Sequence, residues 1–406
     1  MASKPYPSPL RGRYLVQNQA WNAFLRVSDA IIGAFVRQST TSSPGAPQRV
    51  LLATGGHLGD AIIATSAIGL LTRAFPRVEV GMVLGSWARP AVDGHPQLRW
   101  VHSVDHWKTN RSTASLAARW LHDRATRRAA LREIRAVGYD AAIDLYFYYP
   151  NMAGLLWRAG IPVRIGFASG GYGPLYTNAV EWLDGTQHTA QQHTRLLRVL
   201  HAELDEADDL RYELPPVPDI ARRRAEAQLG AAGLVAGEYV VMHMGSGSSV
   251  REWPAAQWRE LGERLAADGH RLVFTGNGPR EAERVADVTR GLSNCANFSR
   301  RLGWHEFVHV IASSQLVVCV ETVASHVAAA TRTPCVALWT GIARLEHWRP
   351  LGADCSVLTA DVPCAPCFRR RGCATMACVR EISVEQVLQA VRLRLRPSAE
   401  NVAAGV

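Results

Sequence analysis

Short apolar runs alternate with longer amphipathic segments along most of the chain. Residues 49–53 form an apolar run, a glycine-rich turn follows, and a helical pattern then continues to Phe75 and stops at Pro76. The same order of strand, turn and helix returns over residues 239–267. Strands that alternate with helices of about 10–15 residues are typical of parallel βαβ units. The pattern therefore predicts a parallel α/β protein.

The proline-rich segment at residues 214–218 is the best candidate for a domain boundary, because such segments carry few crossing contacts. A chain of 406 residues also exceeds what one hydrophobic core usually supports. We therefore predict two Rossmann-like, doubly wound domains that face each other across a cleft. The expected divisions are 1–47, a helix and linker; 48–214, the first domain; 215–395, the second; and 396–406, a tail. Further strands are predicted at 78–84, 139–146, 272–274, 316–320 and 335–339.

Apolar residues recur at helical spacing over residues 21–36, before a linker at 38–47. Arg26 and Asp29 interrupt this stretch, and it has no small-residue cleavage site, so it does not resemble a secretory signal. Two interpretations remain open: a helix packed on the main body, or an interfacial helix on a membrane. No run of 18 uncharged apolar residues occurs. We expect a cytoplasmic protein, with peripheral attachment to the inner membrane as an open possibility.

The chain is basic, with 45 Lys and Arg against 35 Asp and Glu and a net charge of +10. This surplus favours an anionic partner such as a nucleotide, a phosphorylated glycan or a lipid surface. Nucleic acid is not expected, because no motif for it is present. Six arginines cluster on one predicted helix beside Asp123 and Glu133: Arg119, Arg124, Arg127, Arg128, Arg132 and Arg135. They form either a solvated helix face or a contact with an anionic acceptor or membrane.

The loop at residues 54–60 follows the first strand, where ligands of open α/β sheets bind. It is not a dinucleotide fingerprint, because Thr54 stands where the first glycine is required. Asp60 begins the next helix beside Gly59. It serves either as a simple helix cap or as a general base. Asp144, at a later strand end, is the second candidate for a base.

Three further loops carry candidate phosphate and ribose ligands. The small residues of 243–254 let backbone amides approach a phosphate, and Arg251 can neutralise it, although a flexible loop is the alternative. The loop at 321–326 opens a helix whose amides and side chains can hold a diphosphate. Glu281 either accepts from ribose hydroxyls or faces solvent. The predicted binding residues are Gly59, Gly245, Ser246, Gly247, Glu281, Thr322, Ser325 and His326.

Four of the eight cysteines lie within 15 residues, at Cys364, Cys367, Cys373 and Cys378. Four thiolates at this spacing suit a structural Zn or Fe ion. Reduced thiols that pack a loop, or disulfides, are the alternatives. Cys295, Cys319, Cys335 and Cys355 are expected to be small buried hydrophobes.

In this order and spacing, the motifs resemble those of the ADP-heptose:lipopolysaccharide heptosyltransferases, glycosyltransferase family 9, over residues 48–390. The resemblance rests on the run from Arg49 to Asp60, the loop ending in Trp253 and Pro254, the Ser325–His326 helix start, and the segments 71–76, 333–334 and 348–350, together with the cysteine cluster. Relatives with a cysteine-bound iron also occur in this group.

The resemblance implies a GT-B fold, with the acceptor on the first domain and the nucleotide sugar on the second. It also implies transfer of heptose from ADP-heptose with inversion, to an anionic glycolipid acceptor of the lipopolysaccharide core, with no cofactor required for catalysis. Asp60 matches the family's base, Arg251 replaces its phosphate-binding lysine, and Glu281 matches its ribose ligand. Val323 departs from the family pattern, which has glycine there.

Two other functions are compatible with these residues. One is a related transferase that uses another nucleotide sugar or modifies protein. The other is a catalytically silent GT-B protein that binds or scaffolds, which the substitutions at Glu321 and Val323 would favour. The retained Asp60 and Arg251 favour an active enzyme.

Overall fold

The computed structural model describes residues 14–16, 18–36, 45–183, 185–205, 210–352 and 354–395. Its contacts divide the chain into two compact units, with the division between Pro215 and Pro216. Most of the predicted linker at 38–47 and the predicted tail at 396–406 lie outside the described residues.

The first unit is built on a sheet of parallel strands in the order β3-β2-β1-β4-β5-β6. α-Helices connect β1 to β2, β3 to β4 and β4 to β5 in βαβ units, whereas short 3-10 helices connect β2 to β3 and β5 to β6. Its strands are β1 Arg49–Ala53, β2 Glu79–Leu84, β3 Leu98–Ser103, β4 Ala141–Asp144, β5 Val163–Phe167 and β6 Asn178–Val180. Its helices are α1 Gln19–Phe35, α2 Leu58–Ala74, α3 Leu116–Val137, α4 Ala153–Ala159 and α5 Thr189–Leu197.

The second unit repeats this topology, with the strand order β12-β11-β10-β7-β8-β9. All neighbouring strands again pair in parallel. The strands are β7 Tyr239–His243, β8 Arg271–Thr275, β9 Cys295–Asn297, β10 Leu316–Val320, β11 Cys335–Leu338 and β12 Cys355–Leu358. The helices are α6 Asp219–Ala231, α7 Ala255–Ala267, α8 Pro279–Thr289, α9 Trp304–Ala312, α10 Val323–Thr331, α11 Leu345–Trp348, α12 Ala377–Arg380 and α13 Val384–Leu395.

The central strands of both sheets are buried on both faces. Every residue of β4, β7, β10 and β11 is buried, which explains why these strands are continuous apolar runs without alternation. In each sheet the strand order reverses once, between β1 and β4 and between β7 and β10. This is the doubly wound Rossmann arrangement, and it confirms the fold class predicted for the two domains.

Helix α1 packs within the first unit through a buried polar contact as well as through apolar side chains. Leu25 is buried, and the buried Asp29 accepts hydrogen bonds from the Tyr14 hydroxyl at 2.8 Å and the Tyr172 backbone N–H at 2.7 Å. The helix is therefore attached to the body of its unit. Of the helices that the structure describes, none has both the length and the apolar character that a bilayer span requires.

Candidate active site

The loop that carries Asp60 lies at the point where the first sheet reverses its strand order. It follows β1, and the chain that follows the adjacent β4 packs against it. A side chain at Gly55 would place its Cβ 2.5 Å from the carbonyl oxygen of Pro150, and one at Gly56 would come equally close to the Asp60 carboxyl group. Both positions therefore need glycine. Ligands of doubly wound folds bind at such switch points.

Asp60 occupies the first turn of α2 and is half-buried. Its Oδ2 atom accepts the backbone N–H of His57 at 2.7 Å, and the two residues form a capping box. The N-cap residue is His57, and Asp60 stands at N3, so Asp60 supports the helix start as the second member of a capping box and not as the cap itself. The helix N-terminus also stabilises negative charge on this carboxylate. Gly59 lies beside it in the same turn.

Trp87 supports this loop and was not among the residues selected from the sequence. It follows β2, and its indole N–H donates to the Gly56 carbonyl at 3.0 Å. Its ring lies 6.1 Å from that of His57, between centroids. A tryptophan just after the end of a strand adjacent to β1 was the available signal. Trp87 holds the glycine turn in the conformation that presents Asp60.

In the second unit, the loops that follow β7, β8 and β10 meet at one edge of the sheet. The Glu281 carboxylate lies against Gly245, where an added Cβ would be 2.3 Å from its carboxyl carbon. Its Oε2 atom accepts the Asn277 backbone N–H at 2.8 Å. Glu281 is thereby held over the loop that follows β7, and it does not project from the helix into open solvent.

His243, at the end of β7, is buried and close enough to Glu281 to be influenced by its charge. Its Nδ1 atom is 2.8 Å from the Thr275 hydroxyl. Burial lowers the pKa of His243 to about 4, and the charge of Glu281 opposes this shift. The histidine therefore anchors the ends of β7 and β8 without adding charge to the site.

Arg251 is paired with Glu321, the first residue of the third candidate loop. Its Nε atom is 3.3 Å from Oε1 of Glu321, whose side chain is 6% exposed against 41% for Arg251. The second carboxylate oxygen of Glu321 accepts from the Thr340 hydroxyl at 2.6 Å. The hydrogen bond from Thr340 thus holds the Glu321 carboxylate in place, and the buried Glu321 in turn orients the Arg251 guanidinium group. The exposed part of the guanidinium remains available to an anion.

The third loop begins α10 in the manner the sequence predicted. Thr322 is its N-cap residue, and the Ser325 hydroxyl donates to the Thr322 carbonyl at 2.8 Å. His326 is buried in the first turn. Val323 starts the helix and is not among the described residues with positive φ, so the valine side chain fits this backbone. Ser246 folds its own loop, because its hydroxyl donates to the Ser248 carbonyl at 2.6 Å, whereas Gly247 is exposed.

A family model described as glycosyltransferase family 9 (heptosyltransferase) matches residues 127–376, more than half of the chain. The chain belongs to glycosyltransferase family 9. This confirms the family inferred from the motifs, and it makes the protein a member of an enzyme family whose activity is glycosyl transfer.

Known family 9 proteins resemble the chain over most of their length. Lipopolysaccharide heptosyltransferase 1 of Pseudomonas aeruginosa is 27% identical over 336 residues, which cover 79% of this chain and 86% of that protein. Its counterpart of the same name in Escherichia coli K12 is 24% identical over 298 residues, 72% and 87% of the two chains.

Solved structures of the family share the fold. A family 9 glycosyl transferase from Veillonella parvula has a TM-score of 0.73 at 20% identity, covering 87% of this chain and 98% of its own. An E. coli heptosyltransferase solved with ADP has a TM-score of 0.65 at 21% identity, covering 86% and 100%. These likenesses place the two parallel sheets in a GT-B-like architecture.

The family 9 cysteine cluster does not form a metal site in this structure. In the part of the chain that is described, no three His, Cys, Asp or Glu side chains are placed to hold a metal ion, and the cysteines are free thiols. Burial raises the pKa of Cys378, and the neighbouring Cys367, Cys373 and Cys364 raise it further. Cys367 and Cys378 belong to the hydrophobic core of the second unit. The predicted Zn or Fe ion therefore has no support, and the thiols pack a loop.

Asp144, the second candidate for the base, has a structural role. It is fully buried, and it accepts the Met152 backbone N–H at 2.5 Å, the Tyr176 hydroxyl at 2.8 Å and the Tyr146 N–H at 3.2 Å. Burial raises the pKa of Asp144 to about 6, while these hydrogen bonds oppose the shift. An acceptor cannot reach this carboxylate, so it anchors the loop that packs on Gly55.

We expect Asp144 to make the protein less stable as the pH rises. Burial raises the pKa of Asp144 to about 6 in the folded state, whereas in the unfolded chain the carboxyl group has its ordinary pKa of 3.8. Relative to Asp144→Asn, the wild type should lose about 2 kcal/mol of unfolding free energy between pH 4.5 and 7. Urea unfolding at the two pH values measures this gap. A pH-independent gap between the wild type and Asp144→Asn would contradict the assignment.

Proposed function

We propose that this family 9 protein transfers heptose, with inversion, from ADP-heptose to an anionic glycolipid of the lipopolysaccharide core, in the cytoplasm. The match of the family model to residues 127–376 carries the proposal. Two relatives named lipopolysaccharide heptosyltransferase 1 match over 86% and 87% of their length, and a solved relative contains ADP. The basic surplus of the chain suits both the anionic donor and the anionic acceptor.

In the proposed reaction, Asp60 is the general base. A hydroxyl of the acceptor attacks the anomeric carbon of heptose from the face opposite the diphosphate, and Asp60 takes the hydroxyl proton. The new glycosidic C–O bond forms while the anomeric bond to the diphosphate oxygen breaks, and ADP leaves. The attack from the opposite face inverts the anomeric configuration. Asp60 suits this role because it lies half-buried on a rigid helix start at the switch point of its sheet.

The second unit is proposed to hold the donor and to stabilise the leaving ADP. Negative charge grows on the diphosphate as the anomeric bond breaks, and preorganised donors aimed at such charge lower the barrier. Arg251 is oriented for this purpose by Glu321, and the N-terminal amides of α10, with Thr322, Ser325 and His326, supply further donors. The amides beside Gly245, Ser246 and Gly247 are proposed to approach the phosphates. Glu281, held over Gly245, is proposed to accept from the ribose hydroxyls.

ADP should stabilise the protein more than UDP or GDP does. A ligand at about 100 times its Kd adds about 2.7 kcal/mol to the unfolding free energy of a protein that binds it only when folded. Thermal melting with each nucleotide and with ADP-heptose measures this. If only UDP or GDP stabilised the protein, the donor would be a nucleotide sugar other than ADP-heptose. If no nucleotide stabilised it, the result would favour the catalytically silent protein.

The activity itself is tested with ADP-heptose and a core glycolipid that lacks heptose. Purified protein is expected to release ADP and to increase the acceptor mass by one heptose, with the opposite anomeric configuration to the donor. If ADP were released and the acceptor mass stayed the same, the proposed donor would be retained and the proposed acceptor would be wrong. A protein acceptor offered in parallel distinguishes the related transferase that modifies protein.

EDTA should leave the transfer rate unchanged within about twofold. The proposed charge stabilisation comes from Arg251 and from the helix N-terminus of α10, so no divalent cation is needed to neutralise the diphosphate. Rates measured after dialysis against EDTA, with and without added Mg²⁺, test this. A loss of activity that Mg²⁺ restores would contradict it.

A further inference from the structure

Exposed apolar side chains are concentrated on three helices of the first unit. Among the described residues, twelve large apolar side chains are exposed, and eight of them lie on α1, α3 and α4. The other four are spread over the two units. The eight are Phe24, Val27, Ile31, Phe35, Leu116, Trp120, Leu121 and Trp157. Concentrations of this kind mark interaction surfaces, whereas single exposed apolar residues are normal.

Helix α1 also presents a second apolar stripe to solvent. Leu25 and Ile32 face the core, whereas Phe24, Val27, Ile31 and Phe35 recur at steps of three and four on another side of the helix. Their exposed fractions are 47%, 59%, 55% and 84%. The stripe carries no charged residue, since Asp29 is buried and Arg26 lies off it. Packing of α1 on its unit therefore accounts for only one of its two apolar faces.

The three helices lie on one face of the first sheet. Side chains of α3 and α4 share a single core cluster with Leu175 and Tyr176, and Ile32 of α1 packs against the same cluster. Helix α4 contacts both α3 and the turn at residues 173–175, and α1 contacts that turn. The outward sides of α1, α4 and α3 thus belong to one continuous layer.

This layer is also basic. On α3, Arg124, Arg128, Arg132 and Arg135 are exposed, and Arg124 stacks on Trp120 with its guanidinium carbon 4.6 Å from the ring centroid. Neither acidic residue of α3 pairs with these four arginines: Asp123 is buried and pairs with Arg127 of the same helix at 3.1 Å, and Glu133 contacts His102 at 2.9 Å. The exposed side of α3 therefore keeps its positive charge.

We infer that the outward layer of α1, α3 and α4 is a docking surface for an anionic lipid bilayer. An uncharged apolar stripe in the same layer as a row of arginines and exposed tryptophans matches the chemistry of a bilayer surface, in which acyl chains lie beneath an interface and anionic headgroups. A surface that binds a protein would be expected to contain a pocket or a rim of polar groups of both charges. The row of exposed arginines on α3 is positive throughout, which fits an anionic bilayer better. The inference rests on these helices alone and would hold whichever sugar the enzyme transfers.

Vesicle binding of the full-length protein tests the surface. Vesicles of phosphatidylglycerol mixed with phosphatidylethanolamine are compared with phosphatidylcholine vesicles in a sedimentation assay, without donor or acceptor. Replacing Ile31 and Phe35 by Glu should weaken binding at least tenfold, because the charges oppose insertion of the stripe. The matched control replaces Ile220 and Leu393, exposed to 56% and 66% in the second unit, and should bind as the wild type does.

The arginines are tested in the same assay. Replacing Arg124, Arg128 and Arg132 by Gln should weaken binding to anionic vesicles and flatten its dependence on salt, while the same change at Arg222, Arg223 and Arg224 of α6 should not. Absence of binding by the wild type, or equal losses in the stripe variant and its control, would overturn the inference. The inference would also be overturned if the wild type bound no vesicles but formed a dimer, and if the stripe variant with Glu at positions 31 and 35 did not form that dimer. Heptose transfer to an acceptor without a lipid is measured for the same proteins. Because this assay needs no membrane, it shows whether the proposed transfer fails independently of vesicle binding.

Discussion

Asp60→Asn should lower kcat for heptose transfer by about a thousandfold. A positioned general base typically contributes about 10²–10⁴ to the rate, and an amide cannot take the proton of the attacking hydroxyl. The same substitution keeps an oxygen that can accept the His57 N–H, which is 2.7 Å from Oδ2 in the wild type. At the N3 position of a capping box, which Asp60 occupies, an amide oxygen can accept as a carboxylate does. The loss should therefore appear in turnover with little effect on the fold.

The two roles of Asp60 can be separated with a second variant. Asp60→Ala removes both the base and the second member of the capping box, so it should lose the same activity and also about 1 kcal/mol of stability. Steady-state rates and ADP binding are measured for both variants, together with melting curves. ADP affinity should stay near that of the wild type, because Asp60 belongs to the first unit and the donor is assigned to the second. If Asp60→Asn keeps a rate within tenfold of the wild type, Asp60 is only a member of the capping box and another group is the base.

The buried central strands were predictable because their pattern is unambiguous. The predicted strand at 316–320 has the same bounds as β10, and the predictions near β1, β7 and β11 differ by one residue or none. The edge strands β3, β6, β9 and β12 and the interior strand β5 were not identified. Strands β6 and β9 have three residues each, β3 and β12 are only partly buried, and Arg164 and Gly166 interrupt the apolar run of β5. Short, half-buried strands carry no continuous apolar run, so periodicity does not reveal them.

The candidate site shows a similar division between local and distant information. Asp60, Arg251 and Ser325 were recognisable because each stands at a fixed place in a loop between a strand and a helix. Their supports were not, because Trp87 and Thr340 come from other strands and reach these loops only through the sheet order. Local sequence patterns do not predict which strands lie next to each other in a sheet. The buried Asp144 was considered as a base for the same reason, since its depth depends on Tyr176 and the 145–152 loop.

The Arg251 pair links the two kinds of information. Arginine in place of the family's lysine was visible in the sequence, and so was Glu321 in the third loop, but each stood as an isolated departure. The structure shows that they contact each other across the ends of β7 and β10, with 3.3 Å between Nε and Oε1. A planar guanidinium can face a carboxylate with one edge and an anion with another, which an ammonium group does less well. The two departures therefore act together.

Arg251→Gln should reduce kcat/KM for the donor by about 10²–10³, equivalent to about 3–4 kcal/mol of lost transition-state stabilisation. The variant leaves the Glu321 carboxylate buried with its arginine partner removed, and it removes the charge nearest the proposed diphosphate. Arg251→Lys should recover only part of the loss, because it restores a positive charge without the guanidinium fork. Rates across donor concentrations measure how the loss divides between kcat and KM.

The matched control is Arg259→Gln, because Arg259 has nearly the same exposure as Arg251, 40% against 41%, and is also paired with a glutamate, at 2.9 Å. Arg259 lies on α7, away from the strand ends, so its loss should change the rate less than twofold. Glu321→Gln provides the complementary test. It should keep the charge of Arg251 while releasing its orientation, and so should weaken transfer less than Arg251→Gln does. Equal rates for the Arg251 and Arg259 variants would show that Arg251 only pairs with Glu321, and the stabilising charge would then have to come from α10.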